Sequence, residues 1–375
     1  MMASMNITHV VENLNRGGLE RVVLDLVKLQ QQQGHRCQVV CLFERGALAP
    51  ELDAAGISVH ACDKRKGFDA RALAQVRQLI RAHHTEVLHS HNAVAHYLAV
   101  LASLGLGVGK VVNTRHGMGG MQRWNRAEML YRASLVRTDA VAMVCEAACN
   151  GAIEHGLVPR RKLRVVPNGL RVQEFTVASP AARSRLRQAL GLSPQTRLVG
   201  TVGRLNWAKD QASLIRAFRR VHAPLPDSAL VLIGDGGLRP ELEACARDEG
   251  VAGAVRFLGD RGDVRELLQG LDVFALSSVS EGYSMALLEA SATALPIVAT
   301  DVGGNGEIVR HGVTGSLVPA RDVEALAQAI LGLLRDPGHA ARLGAAARAM
   351  MEASGSLEAM ALRYATLYES RRPAA

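Results

Sequence analysis

The second half of the chain opens with the stretch LVGTVGRLNWAKDQASLIRAFRRV, residues 198–221. Its first five residues are a short, mostly apolar run that stops at a glycine, which is typical of a buried strand. From Gln211 to Val221 apolar residues recur at helical spacing, so a helix is predicted there. The loop between strand and helix therefore lies at the carboxyl end of a strand, where open α/β sheets bind ligands.

The same alternation of apolar runs and amphipathic stretches fills both halves of the chain. Predicted strands are 7–12, 38–42, 86–89, 110–113, 140–145 and 164–166, then 198–202, 229–233, 255–258, 273–276 and 296–299. Predicted helices include 19–33, 93–104, 211–221, 240–249, 285–294 and 323–334. Two such runs predict an α/β protein made of two Rossmann-like, doubly wound parallel-sheet domains that face a cleft.

A Pro-Asn-Gly turn at residues 167–169 ends the last strand of the first half. We therefore expect an N-terminal domain over residues 1–170 and a C-terminal domain over 171–355. Residues 170–195 have no strand pattern and are interpreted as a linker with a first helix. Residues 357–369 have a helical pattern, so the segment 356–375 is expected to pack back on the first domain.

Composition narrows the function classes. The chain has 375 residues, of which 48% are hydrophobic and only 3% aromatic, so two cores can be buried but base-stacking surfaces are not expected. Its six cysteines form no C-x2-C pair and lack zinc-ligand spacing. No secretory signal or membrane span is seen in the sequence. We expect a cytoplasmic protein.

Positive charge is concentrated in the first half. Residues 1–175 carry 22 Lys and Arg against 14 Asp and Glu, a net charge of +8, whereas residues 176–375 carry 22 against 21, a net charge of +1. This asymmetry indicates an anionic partner for the first half: a lipid phosphate, an acidic membrane surface, an acidic glycan or nucleic acid. General basicity of the source proteome explains the charge equally well.

Two candidate sites follow strands of the first half. Gly17 and Gly18 lie where the first strand passes into the first helix, so backbone N–H groups can approach an anionic ligand. The sequence Asn-Thr-Arg-His-Gly at 113–117 follows another strand, and His116 is a candidate to orient a hydroxyl group. A tight turn without a ligand and an incidental loop histidine are the alternatives.

The loop quoted above supplies the third candidate. Arg204 and Lys209 would neutralise a diphosphate, Arg204 with its forked guanidinium and Lys209 as a point charge. Asp210 is a candidate cap for the helix that follows. The alternative is a solvated basic loop.

The fourth candidate has two carboxylates, Glu281 and Glu289, spaced by about two helical turns. Carboxylates accept hydrogen bonds from sugar and ribose hydroxyls. Ser284, Met285 and the N–H groups after them begin a predicted helix, which suits a phosphate. A glycine-rich turn at 301–307 follows the next strand. The alternative for the carboxylates is a solvated helix.

Several cofactor motifs are missing. The sequence has no G-x-G-x-x-G, no P-loop and no D-x-D. A nicotinamide, a flavin or a metal-bound diphosphate is therefore not expected, and no metal ligands are assigned. The leaving diphosphate would be stabilised by Arg204, Lys209 and helix N-termini.

The ordered set of motifs resembles the family-4 group of retaining glycosyltransferases, which have the two-domain GT-B fold. The motifs cover nearly the whole chain: Gly17-Gly18, 166–169, Gly203-Arg204 with Lys209, Glu281 to Glu289, 303–307, and 314–322. Residues 6–21 and 41–56 are similar to those of bacterial exopolysaccharide sugar transferases. Tyr283, Ser284 and Ala286 depart from the usual Phe, Gly and Pro of the family, while both carboxylates are kept.

The resemblance implies a role for each matching residue. Arg204 and Lys209 would bind the donor diphosphate, Glu289 the ribose and Glu281 the donor sugar, with Leu258 beside the base. Gly18 would let the backbone approach the phosphates or sugar, and His116 would lie at the reaction centre. The implied donor is a nucleotide diphosphate-sugar, UDP- or GDP-linked, and the acceptor is a glycan or a lipid-linked sugar.

The expected activity is metal-independent hexosyl transfer with retention, in cell-surface or exopolysaccharide synthesis. The basic first domain, including 64–66, Arg115, Arg123 and Arg126 with Met118, Met121 and Trp124, would contact an anionic membrane at its inner face. A non-hydrolysing nucleotide-sugar epimerase of the same fold is one alternative. A non-catalytic, basic nucleic-acid-binding protein is the other, although recognition motifs for it are missing.

Overall fold

The structure, a computed structural model, describes residues 4–117 and 126–369. The chain forms two compact units. The first holds the chain up to Gly169 together with the segment from Leu357 onward, and the second holds Leu170–Ser356. Within the described residues, no helix has the length and apolar character that crossing a bilayer requires.

The strands of the two units form two separate parallel sheets. The first sheet contains β1 Asn6–Val11, β2 Arg36–Cys41, β3 Ser58–Ala61, β4 Val87–His91, β5 Lys110–Arg115, β6 Ala140–Met143 and β7 Leu163–Val165. The second contains β8 Arg197–Val202, β9 Ser228–Ile233, β10 Val255–Gly259, β11 Val273–Leu276, β12 Ile297–Thr300 and β13 Ser316–Val318.

Helices alternate with these strands along the chain. In chain order they are α1 Gly18–Gln32, α2 Ala49–Asp53, α3 Ala70–Ala82, α4 Asn92–Ser103, α5 Arg126–Ser134, α6 Glu146–Glu154, α7 Pro180–Ala189, α8 Gln211–His222, α9 Arg239–Asp248, α10 Val264–Gln269, α11 Met285–Ala292, α12 Asn305–Ile308, α13 Val323–Arg335, α14 Pro337–Ser354 and α15 Leu357–Glu369.

Both sheets are wound in two directions from a central strand pair. The first has the order β3-β2-β1-β4-β5-β6-β7 and the second β10-β9-β8-β11-β12-β13. The direction of winding reverses between β1 and β4 in the first sheet and between β8 and β11 in the second. At such a switch point the flanking loops diverge, which opens room for a ligand at the carboxyl ends of the strands.

Burial of both sheet faces explains why the strands are apolar throughout. In the second unit, Val199 and Leu230 pack in one core cluster, while their neighbours Leu198 and Ala229 pack in another on the opposite face. Successive side chains of a strand point to opposite faces, so a strand covered on both sides needs apolar residues at every position. The short apolar runs of the sequence are the consequence.

The fold class predicted from the sequence is confirmed: two doubly wound parallel sheets are present. Two strands were not predicted. β3 has only four residues and β13 only three, and both form outer positions of their sheets. These short segments also contain Ser58, His60 and Ser316, so neither gives a clear run of apolar residues.

The C-terminal helix α15 belongs to the first unit. Tyr364 and Tyr368 are almost fully buried there. The Tyr364 hydroxyl shares a hydrogen bond of 2.9 Å with Thr114 Oγ1, and the Tyr368 hydroxyl one of 2.8 Å with His89 Nδ1. The helix therefore completes the polar core of the first unit at the ends of β4 and β5.

Candidate functional site

Three loops meet at the carboxyl edge of the second sheet. They follow β8, β11 and β12, which are neighbours in the sheet. The β11 loop is tied to the β8 loop by the backbone N–H of Val279, which donates to the Ala208 carbonyl at 2.8 Å. It is tied to the β12 loop by the N–H of Gly304, which donates to the Gly282 carbonyl at 2.9 Å. The switch point of this sheet is therefore a compact polar site.

An ion pair lies at its centre. Lys209 Nζ donates to Glu281 Oε1 at 2.5 Å, and the two side chains are only 20% and 9% exposed. The sequence predicted both residues as site residues from separate motifs, and the structure brings them together. A cation and a carboxylate held side by side with little solvent provide one group for a phosphate oxygen and one for a sugar hydroxyl.

Two serines that the sequence analysis missed hold this pair. Ser278 Oγ donates to Glu281 Oε1 at 2.6 Å. Ser277 Oγ contacts the carbonyl oxygens of Lys209 and Asp210, each at 2.9 Å. The signal for them was available, because Ser277-Ser278 interrupts the apolar run of β11 at its carboxyl end.

Glycine is required at one point of close approach, Gly303, while a second glycine, Gly203, lies against the flexible Lys209 side chain. Gly303 has φ +55°, and a Cβ atom there would lie 1.8 Å from the Glu281 carbonyl oxygen. Gly203 has φ +158°, and its Cβ would lie 3.3 Å from Lys209 Cε. The left-handed backbone and the contact at Gly303 exclude larger residues there. Gly303 therefore lets the β12 loop close against Glu281.

The first turn of α11 presents unsatisfied polar groups to the same edge. Ser284 precedes the helix and its side chain makes no capping bond. Ser284 Oγ is buried and has no hydrogen-bond partner among the described residues. Met285 begins the helix and Glu289 lies, half-buried, one turn further on. A helix N-terminus with a buried, unpartnered hydroxyl is suited to bind an anion.

The remaining predicted residues of the second unit occupy the same edge. Arg204 is exposed, and its backbone carbonyl accepts from Gln211 Nε2 at 3.0 Å. Asp210 accepts from the Ser213 N–H and hydroxyl, so it caps α8. Leu258 is the penultimate residue of β10, with β9 between β10 and β8. Leu258 is therefore two interstrand spacings from the Arg204 loop, about 10 Å at about 4.8 Å per spacing.

The other predicted residues lie in the first unit. Gly17 precedes α1 in an extended conformation and Gly18 is the first residue of that helix. His116 directly follows β5, as predicted, and its backbone N–H donates to Asn92 Oδ1 at 3.2 Å. Burial lowers the pKa of His116 to about 3, so its imidazole is neutral at physiological pH. His116 therefore acts there as a neutral hydrogen-bonding group.

A cluster of three histidines next to His116 was not predicted. His9 on β1 and His89 and His91 on β4 are buried, and their nearest ring nitrogens lie within 4.8 Å of one another. The sequence signal was present, since histidines recur inside strands that are otherwise apolar. Their role depends on what each ring nitrogen contacts.

The structure corrects the expectation for Arg115. Its guanidinium is buried, pairs with Glu128 at 2.9 Å and lies over the Tyr131 ring at 4.7 Å. A guanidinium so placed is an internal structural group and does not contact a membrane. Arg126, which begins α5, is exposed. Four further members of that predicted patch lie outside the described residues: Met118, Met121, Arg123 and Trp124.

Known proteins resemble this chain in sequence and in fold. The family model for glycosyl transferases group 1 matches residues 182–350, and the model for Glycosyltransferase Family 4 matches residues 16–174. The glycosyltransferase EpsD of Bacillus subtilis is 30% identical over 292 residues, which are 75% of this chain and 76% of that protein.

A GDP-mannose-dependent monoacylated alpha-(1-6)-phosphatidylinositol monomannoside mannosyltransferase of Corynebacterium glutamicum is 35% identical over 214 residues. That match spans 55% of this chain and 55% of the mannosyltransferase, about half the length of each. The crystal structure of Anabaena HepE in complex with UDP and glucose has a TM-score of 0.88, with 23% identity over 98% of this chain and 100% of HepE.

The two family models follow one another along the chain, and each matches mainly one of the two units. The Family 4 model extends a few residues past Gly169, where the first unit passes into the second. The likeness to HepE shows the same fold at low sequence identity. The chain belongs to the group 1, family 4 glycosyltransferases, which have the GT-B fold.

Proposed function

We propose that the chain is a metal-independent, retaining hexosyltransferase. It moves a hexose-type sugar from a UDP- or GDP-linked donor to a glycan or lipid-linked acceptor during cell-surface or exopolysaccharide synthesis. The observation that carries the proposal is the Lys209–Glu281 pair, held at the switch point of the second sheet beside the N-terminus of α11.

In this proposal the donor binds along the carboxyl edge of the second sheet. Lys209 and Arg204 neutralise the diphosphate together with the N–H groups that begin α11. Glu281 accepts a hydrogen bond from the sugar, and Glu289 one from the ribose. Leu258 provides an apolar surface for the base. The substrates of relatives support this class of donor: one uses GDP-mannose, and HepE was crystallised with UDP and glucose.

Retention follows from substitution on one face of the sugar. The bond between C1 and the diphosphate oxygen breaks while the acceptor oxygen bonds to C1 from the same side. The acceptor proton passes to the departing phosphate oxygen, so no strong protein base is required. Catalysis then depends on positioning and on cations at the leaving group.

The proposal assigns charge neutralisation to side chains because of the groups present at the site. Among the described residues, the one group of three His, Cys, Asp or Glu side chains close enough to share a metal ion is His9, His89 and His91. These residues lie in the first unit. No three such side chains come together around Lys209 and Arg204 in the described part of the chain, so we assign the neutralising charge to these two cations.

For the acceptor we propose that the basic first unit contacts an anionic membrane. Arg65 and Lys66 are exposed, and Phe68 beside them is 75% exposed. Cationic and aromatic side chains in one loop favour peripheral binding to anionic lipids. In a flotation assay, vesicles with anionic lipid should recover more protein than neutral vesicles, and Arg65→Ser/Lys66→Ser should reduce that recovery. Equal recovery on both vesicles would rule out this part of the proposal.

The activity is tested by incubating the full chain with UDP- and GDP-hexoses and lipid-linked or oligosaccharide acceptors in EDTA. The expected product is a new α-glycoside, if the donor is α-linked, identified by the one-bond carbon–proton coupling constant of its anomeric position. An inverted product would refute retention. An altered donor sugar with no glycoside formed would instead indicate the epimerase. His155→Gln is a suitable control variant, because His155 is exposed and far in sequence from the site motifs.

A further inference from the structure

A chain of hydrogen bonds runs through the core of the first unit from α1 to the end of β5. His9 Nε2 contacts Gln30 Oε1 at 2.8 Å, and His9 Nδ1 contacts His91 Nε2 at 3.1 Å. His91 Nδ1 then contacts His116 Nε2 at 3.0 Å. Every nitrogen along this path has one partner until the last, His116 Nδ1, which is buried and has none among residues 4–117 and 126–369.

His89, the remaining histidine of the cluster, also has a hydrogen-bond partner for each ring nitrogen. His89 Nδ1 bonds the Tyr368 hydroxyl and His89 Nε2 bonds Thr114 Oγ1, both at 2.8 Å. Both ring nitrogens of His9, His89 and His91 therefore already have partners within the protein. Metal binding would have to break several of these bonds, so the cluster is better explained as a hydrogen-bond network than as a metal centre.

Gln30 sets the direction of the chain. Its Nε2 lies 3.1 Å from the Tyr368 hydroxyl and its Oε1 faces His9, and in this orientation of the amide Oε1 accepts from His9 Nε2–H. The reversed amide would donate to His9 and would reverse every bond along the chain. A neutral imidazole carries a single proton, so His9 Nδ1 accepts from His91 Nε2–H, and His91 Nδ1 accepts from His116 Nε2–H. His116 Nδ1 is left with an unprotonated lone pair.

The rings are neutral at physiological pH, as this reasoning requires. Burial lowers the pKa of His9 to about 4 and that of His116 to about 3. Burial and the neighbouring histidines lower the pKa of His91 well below its usual range. One proton on each ring is therefore the state in which the network operates.

We infer that Gln30, His9 and His91 are positioning residues that hold His116 in its Nε2–H form, so that Nδ1 accepts a hydrogen bond from a hydroxyl group of a sugar substrate. The identity of that hydroxyl donor rests on the proposed function, whereas the tautomer does not. A neutral ring with a bare Nδ1 neither donates to a phosphate oxygen nor carries charge toward one. His116 thus selects for a sugar hydroxyl and not for the diphosphate.

The tautomer is measured by long-range ¹H–¹⁵N correlation NMR on the full chain labelled at histidine nitrogens, with His116→Asn assigning the signals. We expect His116 Nδ1 to have the shift of an unprotonated nitrogen and Nε2 that of a protonated one, unchanged between pH 6 and 8. Protonated Nδ1 in the wild-type protein would mean that the network has the opposite direction, which overturns the inference.

A pair of variants at His91 separates positioning from folding. His91→Gln keeps one donor and one acceptor, whereas His91→Phe keeps the bulk and removes both. We expect His91→Phe to give mixed His116 tautomers and about a tenfold lower kcat/KM, the effect of losing one neutral hydrogen bond, while His91→Gln restores both readouts toward wild type. Equal tautomer populations in the two variants would overturn the inference.

Nucleotide affinity and zinc binding are two further measurements, and they distinguish a failure of this inference from a failure of the proposed function. UDP and GDP affinity, which depends on the second unit, should be the same in His91→Phe and wild type. If the wild-type chain transfers no sugar, the proposed function fails, while the NMR result still decides the tautomer. Stoichiometric zinc binding that is lost in His9→Gln would show that the cluster is a metal site and would overturn the inference.

Discussion

Replacing Lys209 by methionine tests the second-unit site most informatively, because it removes the charge and keeps most of the side-chain length. Lys209 and Glu281 are in contact at 2.5 Å and are largely buried. Losing the cation leaves the Glu281 carboxylate with Ser278 as its remaining side-chain partner among those described. Two different effects follow, one on stability and one on catalysis.

The stability effect is set by the burial of the pair. Breaking a fully buried pair costs about 3–5 kcal/mol, whereas an exposed pair contributes about 1 kcal/mol or less. Lys209 is 20% exposed and Glu281 9% exposed. We therefore expect Lys209→Met to lower the free energy of unfolding of the second unit by about 1–3 kcal/mol, measured by urea denaturation.

The catalytic effect comes from the lost cation at the diphosphate. Removing one group that stabilises developing charge lowers kcat/KM by about 10²–10³. The same reduction in kcat/KM is expected for Arg204→Ala. Because the Arg204 side chain is exposed, this substitution should leave the free energy of unfolding unchanged. Initial rates of sugar transfer at varied donor concentration give kcat/KM for both variants.

The double variant Lys209→Met/Glu281→Gln separates the two effects. A neutral amide at position 281 no longer needs the cation, so most of the lost stability should return. Activity should stay low, because the diphosphate still lacks its cation. If Lys209→Met turns over at the wild-type rate, or if Glu281→Gln restores that rate, then Lys209 serves only to neutralise Glu281 and the proposed diphosphate role is wrong.

Two further predictions concern the fold around the sites. Burial lowers the pKa of His9 from 6.5 to about 4 and that of His116 from 6.5 to about 3. Below pH 6.5 the unfolded chain therefore binds more protons than the folded chain, and the free energy of unfolding falls as the pH drops. From pH 7 to pH 5 the first unit should lose about 2 kcal/mol of stability per histidine. Hydrogen exchange of β1 amides at the two pH values measures this, with His155→Gln as the control, and equal protection at both would contradict it. Gly303→Ala should destabilise the second unit by about 2–4 kcal/mol, since its Cβ meets the Glu281 carbonyl. Gly312→Ala also has a positive φ but open space around it, so its cost in urea denaturation should be about 1 kcal/mol; equal costs would contradict the steric argument.

The sequence predicted the architecture because buried parallel strands need apolar residues at nearly every position. The same reasoning missed β3 and β13, which are short and contain polar residues. At the site, Lys209 and Glu281 were predicted from separate motifs, and their direct pairing depends on packing between loops 72 residues apart. No local pattern encodes such a contact.

The polar core of the first unit shows a different limit of sequence reasoning. His9, His89 and His91 lie inside apolar strands. The sequence shows each of them as a polar residue in such a strand, but it does not show that the three lie together in the fold. Their significance comes from their mutual distances and from Gln30 on α1, which gives the network its direction. Arg115 shows the reverse case: its charge indicated a surface role, whereas Glu128 and Tyr131 hold it in the interior.

Calorimetric titration of the full chain with UDP, GDP, ADP and dTDP in EDTA tests the central claim most directly. We predict that UDP or GDP binds without a divalent ion and that Arg204→Ala and Lys209→Met weaken this binding by about tenfold or more, the effect of losing a charge-assisted hydrogen bond. Failure of all four nucleotides to bind, or equal affinity in wild type and both variants, would contradict the proposed grip on the diphosphate.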